Sequence, residues 1–219
     1  MSVELGKILN VLLNLDKYLF NIVNHNVTIT YVILFVIIFS EAGLIITSFL
    51  PGDSLIFVTG TLTSMKLLNL PLIFVVLYGA VILGDTINYY IGKFLGKRIL
   101  GKESSRFIKR EHIEKAHIFY DKHGKLAVIM GRFIPVVRSF IAFVAGLGAM
   151  NFSRLIGYAA IGGLLRVLVF LFAGYYFGSL QVVRNNLEIV IVLVATISML
   201  PAIVGIIKQR VRQHLENEK

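Results

Sequence analysis

The chain has 219 residues, 57% of them apolar and 16% charged, with no Cys, no Trp and a mean hydropathy of +0.81. Soluble domains carry about 45–50% apolar and about 25% charged residues, so this chain has too few polar side chains to coat a globule of its own size, and a membrane protein is expected. The net charge of +10 is concentrated between Lys93 and Lys125, where ten Lys and Arg face four acids; beside apolar spans such an excess marks the cytoplasmic side and anionic headgroups, with no nucleic acid as partner.

The first 27 residues, with Asp16, Lys17 and several Asn among Leu and Ile, form an amphipathic segment expected to lie in the membrane interface. No small-residue cleavage site interrupts it, so it does not read as a secretory signal. A single membrane domain is expected over residues 28–207, followed by a basic cytoplasmic tail, 208–219. Three stretches reach the roughly 20 apolar residues that cross a ~30 Å hydrocarbon core: Leu70–Gly92, Leu155–Gly178 and Leu187–Ile207. Two more, Thr28–Leu62 and Leu126–Met150, are apolar but interrupted. The first contains Glu41, Pro51, Gly52 and Asp53, and the second contains Arg132, Pro135 and Arg138. Proline removes a backbone donor, and broken backbone at membrane depth survives only inside protein or beside a wet cavity, so both stretches are expected to be re-entrant hairpins.

Counting crossings supports the second hairpin. With 93–125 and the C-terminus both cytoplasmic, an even number of spans must separate them, and Leu155–Gly178 with Leu187–Ile207 supplies two. The first hairpin would then open outwards. The residues between the hairpins, ESSRFIKREHIEKAHIFYDKHG, read as a cytoplasmic helix. Its His112, His117 and His123 are five and six residues apart and do not share a face, so no metal site is expected.

The halves also resemble each other. DSLIFVTG from Asp53 and RSFIAFVAG from Arg138 lie in the two hairpins, and the pairs Gly92/Gly96 and Gly174/Gly178 follow in the next helices. One odd crossing between them makes the repeats inverted, an architecture that brings two broken elements together at a midplane site. The fold class expected is therefore an all-α polytopic membrane protein of two inverted repeats, each a re-entrant hairpin plus a transmembrane helix, with an extra C-terminal helix.

Glu41, Asp53, Asp85, Arg132, Arg138 and Arg166 all fall inside apolar segments. At about 2.5–3.5 kcal/mol each near the centre of a lone helix, six such residues need partners. Arginine's fork matches phosphate oxygens and keeps its charge when desolvated, and a carboxyl group moving between dry and wet surroundings can take up a proton in one and release it in the other. Glu41 and Asp53 are accordingly the candidate proton carriers, and Arg132 and Arg138 the candidate ligands for a lipid phosphate. Asp85 and Arg166, each in a regular span after an equivalent hairpin, are expected to support the site: Arg166 either joins the other arginines as a third headgroup donor or holds Asp85 or one of the hairpin acids ionised, and the equivalent positions favour Asp85. No G-x-S-x-G, H-E-x-x-H or P-loop is present, so a carrier that is not an enzyme and has no cofactor is expected.

The runs FSEAGLIITSFLPGDSL from Phe39, GDTINYYIGK from Gly84 and GRFIPVVRSFIAFVAG from Gly131 resemble the DedA family of VTT-domain, or SNARE-associated, proteins over residues 30–180. The resemblance implies a bacterial cytoplasmic-membrane protein that returns a phosphate-bearing lipid across the bilayer under the proton-motive force. Undecaprenyl phosphate is the first substrate it implies, with phosphatidylethanolamine next. A proton-coupled exporter of cations or small molecules is the alternative, and a homodimer is left open. The resemblance further implies that Glu41, Asp53, Arg132 and Arg138 match the family's essential acids and arginines. One departure stands out: Arg166 occupies a position where the family commonly has Trp.

Overall fold

The structure, a computed structural model, describes residues 22–47, 52–100, 135–148 and 150–186, together with 128, 129, 131, 189 and 193. Every regular element among the described residues is helical. They are α1 (Val27–Gly43), a 3-10 turn at Ile45–Thr47, α2 (Gly52–Ser64), α3 (Leu70–Leu100), α4 (Pro135–Leu147), α5 (Phe152–Phe177) and α6 (Gln181–Asn185).

Two helices are long and apolar enough to cross a membrane, Leu70–Gly96 within α3 and Phe152–Phe177. They are the expected spans, with α3 running on to Leu100 and α5 starting earlier, at Phe152, where Asn151 caps it by accepting from the Ser153 N–H at 2.9 Å. Of the two stretches expected to be interrupted, the first is divided between α1, ending at Gly43, and α2, starting at Gly52, and in the second α4 starts at Pro135. Apart from residues 189 and 193, the expected third span, Leu187–Ile207, lies outside the described residues, as do the cytoplasmic helix, the C-terminal tail and nearly all of the N-terminal segment.

Asn26 starts α1 by accepting from the Ile29 N–H at 3.1 Å. One stripe of α1, Thr30, Leu34, Ile38, Glu41 and Ala42, is buried at helical spacing, whereas Val32 and Val36 are exposed. The helix stops at Gly43, and its last carbonyls are satisfied by side chains. The Thr47 hydroxyl donates to Ser40 O at 2.5 Å, and Asn88 Nδ2 from α3 donates to Ala42 O at 3.1 Å. Ser40 O also accepts from the Leu44 N–H at 2.9 Å, so Thr47 reinforces that bond, and Asn88 takes the place of a missing backbone donor at Ala42, which helps sustain a helix end among apolar neighbours.

Gly52 opens α2, whose residues from Gly52 to Thr63 are all buried. At 13 residues α2 and α4 are each about 20 Å long, short of a bilayer core. Helix α2 ends in a Schellman motif: Lys66 takes a left-handed conformation (φ 62°), its N–H donates to Thr63 O, and the Leu67 N–H donates to Leu62 O. The turn brings the Asn69 N–H to Tyr31 Oη at 2.9 Å, back beside the first turns of α1, and the Asn69 side chain then caps α3. Pro135 opens α4, where its missing N–H has no helical partner to lose.

The packing exchanges the two halves. Helix α2 lies along α5, with Gly60 against Leu171 and Tyr175, and Gly174 against Phe57; α4 lies along α3, with Gly146 against Tyr89 and Lys93, and Gly92 against Phe143. The registers advance together, so each pair is parallel, whereas α3 and α5 run antiparallel, with Tyr78 Oη donating to Ala160 O and the Tyr90 ring beside that of Phe152. The glycines of DSLIFVTG and RSFIAFVAG therefore meet the Gly-x3-Gly helices of the opposite half. Close approach at these points has no room for a Cβ.

This packing makes a stability prediction. Gly146→Ala would drive its methyl into the Tyr89 carbonyl and is expected to cost about 1–3 kcal/mol. Gly157→Ala meets open space and is expected to be neutral or to gain about 0.5–1 kcal/mol. Thermal unfolding in detergent checks the pair, and equal melting temperatures would count against a required backbone contact.

Candidate functional site

The polar centre lies where the chain breaks. Glu41 stands in the last turn of α1, Asp53 in the first turn of α2, Arg138 in the first turn of α4, and Arg166 in mid-α5 on the buried stripe of Leu155, Ala159, Gly162 and Gly163. Four helices thus contribute one charge each. All four residues are buried, Glu41 to 1% exposure and Arg138 to 8%.

Asp53 braces both arginines. Its Oδ2 accepts from Arg138 Nη1 at 2.7 Å and its Oδ1 from Arg166 Nε at 2.7 Å. Glu41 faces the same two groups: Oε1 pairs with Arg138 Nη2, and both oxygens accept from Arg166 Nη2 at 3.2 Å. Two cations and two anions cancel, which is how four ionised groups can be tolerated together away from water. Among the described residues Arg138 Nε is buried without a hydrogen-bond partner.

The opening turn of α2 completes the surroundings of Glu41. Gly52 lies so close to the Glu41 carboxylate that any Cβ there would overlap it. A helix N-terminus favours an anion through its unpaired N–H groups and its dipole, and the Glu41 carboxylate lies against the first residue of α2. Glycine at this position is therefore a packing requirement as well as a helix start.

Of the residues singled out from sequence, Glu41, Asp53 and Arg138 meet as expected, and Gly52 and Pro135 begin the two short helices. Arg132 and Pro51 lie outside the described residues. The expected pairing of Arg166 with Asp85 is corrected: Arg166 bonds to Asp53 and Glu41, while Asp85 is buried on α3. The reason is the parallel packing of α2 on α5. Contact of Phe57 with Gly174 sets Arg166, about two turns earlier on α5, beside the first turn of α2. Asn88 went unrecognised, although it sits one turn after Asp85 on the face of α3 that meets the end of α1, and it holds the Ala42 carbonyl next to Glu41.

Removing one member of the quartet leaves an uncompensated buried charge. Arg166→Met is expected to destabilise the protein by about 3–5 kcal/mol. Adding Asp53→Asn to that variant should recover part of the loss, whereas adding Asp85→Asn should not. Denaturation of the single and double variants in detergent distinguishes the two partners.

A model of the VTT domain matches residues 50–176, a stretch that includes Asp53, Asp85, Arg138 and Arg166. The chain is 40% identical to protein DedA of Escherichia coli strain K12 over 205 residues, covering 93% of this chain and 94% of that protein. It is 37% identical over 170 residues to an uncharacterized membrane protein of Mycobacterium leprae, covering 78% of this chain and 76% of the relative. It is 35% identical over 152 residues to inner membrane protein YqjA of Escherichia coli, covering 69% of each. No solved structure matches it. With its domain matched over more than half the chain and a relative aligned along nearly all of it, this chain belongs to the VTT-domain family that includes protein DedA.

Proposed function

We propose that this protein carries a phosphate-bearing lipid across the bacterial inner membrane, coupled to the proton-motive force, with undecaprenyl phosphate as the first candidate substrate. The observation that carries the reading is the neutral quartet of Glu41, Asp53, Arg138 and Arg166 at the meeting point of two half-length helices. Two guanidiniums offer forked donors to phosphate oxygens, and two carboxylates offer proton acceptors in the same site. By resemblance, Arg132 is a further phosphate ligand. The apolar outer faces, with Val32, Val36, Val75, Leu83 and Val169 exposed, suit acyl or prenyl chains.

The architecture proposed around this site is a pair of inverted re-entrant hairpins. The return of Asn69 to Tyr31 after α2 supports the first hairpin. The exchanged packing of α2 on α5 and α4 on α3, with the two pairs running in opposite directions, supports the inversion. Half-length helices with their N-termini directed at a common centre are how transporters present backbone donors to an anionic group. In this arrangement 93–125 and the C-terminus are cytoplasmic, by their basic charge. The protein acts by binding and exchange, without chemistry on the lipid.

Reconstitution into liposomes with labelled undecaprenyl phosphate, phosphatidylethanolamine or a test cation, with and without a proton gradient, tests the substrate. The phosphate lipid should move in wild type, and Glu41→Gln or Asp53→Asn should abolish coupled movement while protein remains in the membrane. Arg138→Lys should be nearly as damaging as Arg138→Ala, because a point charge lacks the fork. Cation transport with no lipid movement would favour the exporter. For topology, a cysteine in the 100–120 segment should react only with membrane-permeant reagents in intact cells, and Lys66→Cys should be labelled from outside. Labelling of both from outside would reject the inverted arrangement.

A further inference from the structure

The quartet treats its two carboxylates differently. Asp53 spends one oxygen on each arginine, at 2.7 Å in both cases, and so holds the two guanidiniums in a fixed mutual position. Glu41 sits on the remaining donors, Arg138 Nη2 and Arg166 Nη2, and against Gly52 at the start of α2. These are the surroundings a phosphate needs: two arginine N–H groups and a helix N-terminus. One donor is left over, because Arg138 Nε is buried and has no partner among the described residues. A carboxylate has two oxygens, both already in use here, whereas a phosphate brings more acceptors.

We propose, building on the lipid-phosphate reading above, that the Glu41 carboxylate is a built-in stand-in for the substrate phosphate, displaced from the arginines when the phosphate binds and protonated as it leaves. Asp53 is the positioning residue that keeps the arginine pair in place throughout. Charge balance is the physical argument. The quartet is neutral when empty. A phosphomonoester entering as its monoanion would leave a net negative charge in a dry site, but one proton taken up by the displaced Glu41 restores neutrality. No covalent bond to phosphorus forms or breaks; one O–H bond forms on Glu41 as one breaks in a hydronium ion on the side where the lipid enters, which becomes water.

The groups around Glu41 agree with this assignment. Arg138 from α4 and Arg166 from α5 hold its charged form, Asp53 from α2 shares those arginines, and α3 brings the buried Asp85 near the end of α1, where Gly84 touches Gly43. Once a phosphate takes the arginines, Glu41 is left beside Asp53 and the new anion, and the protonated form is the favoured one. Binding therefore takes up a proton, so affinity is higher where the pH is lower, and a proton gradient loads the lipid at the acidic face and releases it at the alkaline face.

The test uses the full-length protein in detergent and didecyl phosphate, a phosphodiester whose single ionisation lies far below the working pH. Isothermal titration between pH 6 and 8 in two buffers of different ionisation enthalpy counts protons. Wild type should take up about one proton per phosphate, with affinity falling about tenfold per pH unit. Glu41→Gln should bind with no proton uptake and a flat pH profile, and tighter than wild type at pH 8. Asp53→Asn should bind weakly at every pH but keep the uptake. Wild-type binding without proton uptake overturns the proposal with no variant needed, and so does a slope that survives Glu41→Gln or is lost with Asp53→Asn. Absence of wild-type binding at every pH instead rejects the phosphate reading itself. Dimethyl phosphate, the same headgroup without chains, should bind far more weakly; equal affinity would assign the site to a free anion and reject the lipid as its source.

Discussion

Electroneutrality in a dry interior is the constraint around which this molecule is arranged. Four ionised side chains from four helices share one small volume, and none of them is affordable alone. Their mutual pairing requires the end of α1, the starts of α2 and α4, and the middle of α5 to converge. Everything about the helix lengths and breaks serves that convergence. A continuous helix through residues 27–64 would carry Glu41 and Asp53 on one long element and could not bring them together around the same two arginines.

Close backbone approach is the means by which the convergence is held. The glycines at 60 and 174 set α2 onto α5, and those at 92 and 146 set α4 onto α3, so each short helix is gripped by the long helix of the opposite half. In a bilayer the lipid tails compete with apolar side chains on equal terms, and shape and backbone proximity decide association. Residues Gly52 to Thr63 are buried throughout, which is what permits a helix of half-membrane length to sit among apolar neighbours. The same burial keeps water from the quartet and makes its pairing strong.

Function in this reading comes from a site that is stable only when its charges are matched, and an anionic lipid can match them in place of a carboxylate. The terminal carbonyls of α1 are held by Thr47 and Asn88, so the break beside Glu41 is a built structure and the carboxylate is positioned by it. Asp53 and Glu41, although both acidic and both bound to the same arginines, are placed for different tasks by the number and arrangement of their contacts.

Much of this could be read from residue order because the bilayer interior punishes exceptions. Glycine and charge within apolar runs pointed to the interruption between α1 and α2 and to the charges that meet in the polar centre, since unpaired backbone and lone charges at that depth must have protein partners. The two long spans followed from apolar length alone, whereas which helices the glycines bring together came only from the tertiary packing. Which charge meets which was different. Residue order favoured Arg166 with Asp85 by analogy of position, but the parallel register of α2 on α5 delivers Arg166 to Asp53, 113 positions away in the chain. Asn88 stayed unnoticed for the same reason, because its role depends on the end of α1 lying against α3. The sequence by itself determined the identities and depths of the buried charges, whose cost is a property of each residue in an apolar run; only the tertiary structure decided their pairing, because pairing depends on where helices cross.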